Sequence, residues 1–112
     1  MDCIFCKIVA GDIPSTKVYE DDTVLAFRDI NPEAPVHVIV IPKEHISSAN
    51  EICESNSAVV THIFEVIPKI AAAEELADGY RIITNIGANG GQSVHHLHFH
   101  ILGGKKLTLK LA

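Results

Sequence analysis

Three histidines at alternate positions, His96, His98 and His100, are the strongest chemical signal in this sequence. Successive side chains of a β-strand point to opposite faces, so the three imidazoles share one face while Leu97, Phe99 and Ile101 share the other. Same-face neighbours lie about 7 Å apart along a strand, close enough for three rings to line one small-molecule phosphate site. His95 has the opposite parity and stays outside that chemistry. Immediately upstream, Gly90, Gly91, Gln92 and Ser93 place flexible backbone and a hydroxyl beside the row. Such backbone can aim N–H groups at phosphate oxygens. One isolated histidine reads as a solvated surface residue, whereas three in register behind a Gly-rich stretch read as a site.

Alternating histidines serve two chemistries, a zinc cluster or a metal-free nucleophilic site. Catalytic metal clusters commonly add Asp or Glu ligands, and the segment from Ser93 to Gly103 contains neither. A neutral imidazole is a good nucleophile near neutral pH, because its reference pKa lies just below 7. The balance favours a metal-free site. Cys3 and Cys6 form a Cys-x-x-Cys pair, and Cys53 makes the cysteine count odd. That pattern reads as metal-binding or redox rather than as a disulfide framework.

The elements that must position these residues follow from hydrophobic period and turn signals. At 112 residues and 47% hydrophobic content, the chain is expected to form a single domain over residues 1–112. Ile4 to Ala10 predicts a short helix ended by Gly11 and Pro14. Lys17 to Glu20 and Thr23 to Asp29 predict a hairpin across an acidic turn, and the β-branched run Val36 to Ile41 predicts a central strand stopped by Pro42. Val59, Ile63, Val66, Ile67 and Ile70 recur at helical spacing, which predicts one long amphipathic helix from about Ser55 to Leu76 that Pro68 should kink or break. Tyr80 to Asn85 and Ser93 to Gly103 complete the strands. The order β, β, β, α, β, β predicts an α+β fold, an antiparallel five-stranded sheet carrying the long helix on one face and the short N-terminal helix.

The formal charge of −5 argues against broad nucleic-acid or anionic-membrane binding, which needs a basic face. Any bound phosphate must be held locally. With no targeting pattern and no apolar run of transmembrane length, a cytoplasmic protein is expected. A chain this small also leaves apolar surface that a second copy could cover.

The segment Gly91-Gln92-Ser93-Val94-His95-His96-Leu97-His98-Phe99-His100-Ile101-Leu102-Gly103-Gly104 resembles the signature of the histidine triad nucleotide-binding family, His-φ-His-φ-His-φ-φ with φ apolar. Ile4-Phe5, Phe27-Arg28-Asp29-Ile30, Ala34-Pro35, His37, Val40-Ile41-Pro42-Lys43 and Gly79-Tyr80-Arg81 look like recurrent segments of its Hint branch, so the resemblance spans about residues 2 to 104. It implies a homodimer with a continuous sheet and a purine nucleoside phosphoramidase or nucleotidyl hydrolase that needs no cofactor for catalysis. His98 would be the nucleophile that attacks the α-phosphorus and carries a transient nucleotidyl group. His100 and His37 would bind phosphate oxygens or exchange protons, Ser93 would donate to the phosphate or leaving group, and His96 would orient the row. By the same resemblance Asp29 would accept from the ribose hydroxyls and Asn85 would sit at the leaving-group end. Gly91, Gln92 and Val94 would flank the substrate, and Phe27, Ile30, Ile4, Phe5 and Ile8 would enclose the purine.

Bacterial relatives with the same cysteine pair imply a structural zinc on Cys3, Cys6, His45 and His96. Four protein ligands would leave no open position for catalysis. Three rival functions share the same residues: a dinucleoside polyphosphate hydrolase, a nucleotide-binding module whose role lies in a partner complex, and a metal-dependent hydrolase whose activity would vanish with chelators and return with metal. After Gly104 the tail Lys105-Lys106-Leu107-Thr108-Leu109-Lys110-Leu111-Ala112 departs from the better-known Hint pattern in having no aromatic residue, which bears on leaving-group preference.

Overall fold

The computed structural model describes residues 3–111. Its strands are β1 (Lys17–Glu20), β2 (Val24–Arg28), β3 (Val36–Pro42), β4 (Tyr80–Ile83) and β5 (Phe99–Gly103), and its α-helices are α1 (Ile4–Ala10) and α2 (Ser57–Ala73). The five strands form one sheet in the order β1-β2-β3-β5-β4, and every neighbouring pair is antiparallel. The predicted α+β architecture, with a five-stranded sheet and two helices, is the observed one.

Local sequence explains the boundaries. Cys3 caps α1 by accepting from the Cys6 N–H at 3.3 Å, and Gly11 closes the helix at φ +83°, a left-handed conformation that suits glycine. In the β1–β2 turn, Asp21 Oδ1 accepts from the N–H groups of Thr23 and Val24, both at 2.9 Å. α2 runs through Pro68 without a break. A proline there frees the carbonyl four residues earlier, on Phe64, and both Phe64 and Pro68 lie on the exposed face of the helix where water can solvate it.

The sheet separates two cores. On one face Val24, Ala26, Val38, Val40, Phe99 and Ile101 pack with Ile63, Val66, Ile67 and Ile70 of α2. On the other, Leu25, Phe27, Ile39 and Ile41 pack with Cys3, Phe5 and Ile8 at α1. Because directly paired residues share a face, Phe27, Ile39 and His100 form one row across β2, β3 and β5 on the α1 side.

The last strand is shorter than the predicted Ser93–Gly103, beginning only at Phe99. The β3–β5 ladder ends at the pair Val40 and Phe99. Pro42, further along β3, has no N–H to continue it. The chain before Phe99 finds other partners: the Leu97 N–H donates to the Ile46 carbonyl at 2.6 Å, and the His96 ring bonds the Pro42 carbonyl at 2.8 Å. The alternation of faces nevertheless persists, with Leu97 joining the α2 core while His98 and His100 stay opposite. β4 likewise stops at Ile83, short of the predicted Asn85. Thr84 turns its hydroxyl to the His98 carbonyl at 2.8 Å instead.

Candidate active site

A groove of about 260 Å³ opens on the α1 side of the sheet. Its floor includes Phe27, Ile39 and His100, and α1 contributes Ile4, Phe5 and Ile8. His98, Ser93 and Val94 enter from the irregular segment before β5, while Asp29 and Ile30 enter from the chain after β2. Ten of the residues singled out from sequence therefore line one cavity. The Phe5 ring meets His98 edge-on at a centroid distance of 5.1 Å and Phe27 at 5.5 Å, so it joins the apolar part of the groove to its imidazole end.

His98 is buried and its orientation is fixed by one bond: Nδ1 lies 2.6 Å from the His96 carbonyl oxygen. A carbonyl only accepts, so Nδ1 carries the proton and the lone pair resides on Nε2. The ring of His100 stands 5.0 Å away, centroid to centroid.

A chain of bonds also sets the protons of the neighbouring pair. The Glu33 backbone N–H donates to His37 Nδ1 at 3.0 Å, which puts the His37 proton on Nε2. His37 Nε2 then donates to His100 Nδ1 at 2.8 Å, leaving the His100 proton on its own Nε2. Asp29 Oδ2 lies 3.5 Å from His37 Nε2, and Asp29 Oδ1 accepts from the Asn31 N–H. Burial pushes the His37 imidazole below its usual range, and burial with the adjacent His98 and His37 brings His100 down to about 4. Both rings are thus neutral near pH 7, with one nitrogen each serving as donor.

His96 departs from the expectation that three rings line one phosphate site. It is fully buried and faces the cysteines, with Nδ1 3.3 Å from Cys3 Sγ and 3.6 Å from Cys6 Sγ. Cys6 Sγ lies 3.4 Å from His45 Nδ1, and one donor atom from each of the four residues lies within 4.8 Å of the others. A tetrahedral zinc with bonds near 2.0–2.3 Å requires donors roughly 3.3–3.8 Å apart. The contacts of His96 with both cysteines and of Cys6 with His45 fall in that range, and the remaining pairs lie within 4.8 Å. His96 Nε2–H donates to the Pro42 carbonyl, which leaves Nδ1 as the lone-pair nitrogen on the cysteine side. Burial also lowers the His96 pKa, favouring the neutral form that a ligand needs.

Asn85, Gly91 and Gln92 do not line the groove; they build the loop that presents Ser93 and Val94. Asn85 Nδ2 donates to the Gly90 carbonyl at 2.8 Å. Gln92 Nε2 donates to the carbonyls of Ser47 and Val94 while its Oε1 accepts from the Gly87 N–H. Gly91 adopts φ +79°, and a Cβ on Gly90 would sit 2.2 Å from the Ile86 carbonyl oxygen.

The family model described as scavenger mRNA decapping enzyme C-term binding matches residues 2–110. A purine nucleoside phosphoramidase of Escherichia coli is 45% identical, with 99% of this chain and 94% of that protein aligned. The chain belongs to the histidine triad superfamily. Among solved structures, a HIT family hydrolase from Clostridium thermocellum superposes with a TM-score of 0.96 at 49% identity, covering 99% of this chain and 97% of the other. A histidine triad protein from Clostridium difficile gives 0.93 at 57% identity, covering 96% and 95%.

Ile13, Pro14, Ser15, Arg28 and Ile39 also line the groove of this histidine triad protein, although residue type alone does not mark them as site residues. Ile39 carried a signal: it has the parity of His37 on a strand assigned to the centre of the sheet. The 13–15 segment carried none, since Pro14 and Ser15 read only as a helix stop and a loop. Glu33 was equally invisible because its contribution is a backbone N–H.

Proposed function

We propose that this histidine triad protein is a nucleotide-binding hydrolase that cleaves purine nucleoside 5′-phosphoramidates at the α-phosphate. The observation that carries the reading is the bond from His98 Nδ1 to the His96 carbonyl, which occupies Nδ1 and leaves Nε2 as the nitrogen available to attack at the imidazole end of the groove. The purine would lie against Ile4, Phe5, Ile8, Phe27 and Ile30, and Asp29 would accept from the ribose hydroxyls.

In the first step the His98 Nε2 lone pair forms a bond to the α-phosphorus as the bond to the amine breaks, and the amine leaves with a proton. Ser93, in the groove wall, would supply that proton, and the neutral His100 Nε2–H would donate to a non-bridging oxygen as charge develops. In the second step water attacks the phosphorus of the nucleotidyl-histidine as the bond to Nε2 breaks, its proton passing to the Ser93 oxygen that gave one up in the first step, so that His98 and Ser93 are both restored and the nucleoside monophosphate is released. Positioning accounts for the advantage, because a fixed imidazole replaces a mobile water in the first attack.

Cys3, Cys6, His45 and His96 would hold a structural zinc, which would supply cross-linking rather than a step of the reaction. The chain would act as a homodimer joined through β4, a sheet edge on which Tyr80 and Ile82 are exposed. Analytical ultracentrifugation of the purified protein checks that assembly; a monomer at micromolar concentration would refute it.

The deciding experiment is to quench the reaction of a labelled adenosine phosphoramidate and map the label. Label on His98 is expected, and label on any other residue would overturn the assignment. Faster cleavage of a diadenosine polyphosphate than of the phosphoramidate would instead favour the polyphosphate hydrolase. If a His98→Ala protein lacks turnover yet keeps its cellular role, the non-catalytic binding module is the better description.

A further inference from the structure

We propose that the Cys3/Cys6 clamp, closed by zinc on His45 and His96, sets the position of α1 and through it the affinity of the groove for a purine nucleotide, while leaving attack by His98 unchanged. This rests on the groove being the nucleotide site. The two residues between the cysteines, Ile4 and Phe5, are themselves groove wall, and Ile8 one turn later is a third wall residue. The metal ligands and the nucleotide wall are thus interleaved on the same short helix.

α1 has seven residues, well under the roughly 12–15 that an isolated helix needs to persist in water. Its position must come from tertiary contacts. Phe5 and Ile8 are buried against the sheet, but Ile4 is 48% exposed and gains little from packing. What remains at the N-terminal end is the pair of thiols, Cys3 beside His96 and Cys6 beside both His45 and His96.

On the other side of the cluster His96 is anchored without metal. His96 keeps its bond to the Pro42 carbonyl, and the next residue, Leu97, is buried in the α2 core with its N–H on the Ile46 carbonyl. The His96 carbonyl that orients His98 is therefore fixed by the sheet side of the molecule. Opening the clamp loosens the wall and spares the nucleophile. The signature is weaker nucleotide binding with an unaltered rate at saturation.

The test compares full-length protein carrying one zinc, the same protein stripped by a chelator, and Cys6→Ser with zinc added, with metal content measured for each. AMP affinity is read by isothermal titration calorimetry, local opening by amide hydrogen exchange, and kcat with a phosphoramidate at saturation. The expected result is AMP binding about tenfold weaker in the stripped and Cys6→Ser proteins. Exchange should be faster across residues 4–10 but not 96–100, with kcat within about twofold. AMP affinity indifferent to verified zinc loss would overturn the inference. So would a fall in kcat at constant affinity, failure to take up zinc, or global loss of circular dichroism on stripping. Failure of the zinc-loaded protein to bind AMP at all would instead remove the reading of the groove on which the inference stands.

Discussion

His37 and His100 are joined by a single 2.8 Å hydrogen bond between Nε2 of the first and Nδ1 of the second, with the direction of donation dictated by the Glu33 N–H on the far side of His37. The fixed direction leaves His100 Nε2–H as the donor that would meet a phosphate oxygen. In His37→Ala the His100 tautomer is no longer enforced, and kcat should fall about 10- to 100-fold. Nitrogen-15 NMR of the imidazoles should find the Nε2–H form of His100 in the parent protein and a mixture in the variant. An unmixed tautomer in the variant, with turnover intact, would rule this account out.

The buried His37 and half-buried His100 also make stability pH-dependent. His37 and His100 have folded pKa values depressed below the unfolded value near 6.5, so the folded state favours their neutral forms. Their contribution is fully present above pH 6.5 and is lost as pH falls from there through about 4, the folded value of His100. Urea denaturation midpoints should decline across that window. Replacing His100 with Gln should flatten the decline, and an unchanged slope would contradict the assignment.

His62 behaves with the opposite sign. Its Nε2 donates to Asp21 Oδ2 at 2.6 Å, which raises the imidazole pKa, while hydrogen bonds from Tyr19, His62 and the Thr23 and Val24 N–H groups hold the Asp21 carboxyl well below the usual range. The pair joins the β1–β2 turn to α2. Its stabilisation is present below the unfolded imidazole pKa near 6.5 and disappears as pH rises through the raised folded value. A His62→Gln protein should be less stable than the parent at pH 6 and equally stable well above the folded pKa, as judged from paired thermal melts. A difference that persists at high pH would show that packing, and not charge, is responsible.

Gly90 is the tightest point of the loop that presents Ser93. The Cβ of a Gly90→Ala protein would collide with the Ile86 carbonyl oxygen, a backbone atom that cannot rotate away. Displacing the loop by about 1 Å should reduce kcat/KM by roughly 100-fold. Circular dichroism should remain native, because the loop lies outside both cores. Full activity would mean that Ser93 is not positioned by this loop.

The end of α2 holds a site for stabilisation. Glu75 adopts φ 60°, the left-handed conformation that glycine favours, as the Leu76 N–H closes back on the Ala71 carbonyl. Glu75→Gly should stabilise the protein by about 0.5–1 kcal/mol. Chemical denaturation would detect it, and a decrease in stability would mean that the Glu75 side chain contributes more than its backbone costs.

The sheet was legible in the sequence because hydrophobic period reports faces. Val24 to Phe27 and Val38 to Ile41 divide between the two cores as alternation requires, and Leu97, Phe99 and Ile101 fall on the side opposite His98 and His100. Ladder length was not legible, because it depends on the partner strand: nothing near His98 announces that Pro42 will end the pairing. The site divides along the same line. Side chains with distinctive chemistry could be picked out, including Cys3, Cys6, His45 and His96, whose proximity a resemblance implied and the fold supplies. Contributions from backbone groups, such as the Glu33 N–H and the His96 carbonyl, depend on conformation and leave no trace in residue type.

The end of the ladder at Val40 and Phe99 makes the molecule modular. The loop from Asn85 to Gly91 lies between β4 and the segment that carries Ser93 to His98, shares no strand register and contributes nothing to either core, so its length can change without turning any core side chain outward. For an engineer, that loop is the natural graft site, with Thr84 and Gln92 flanking it.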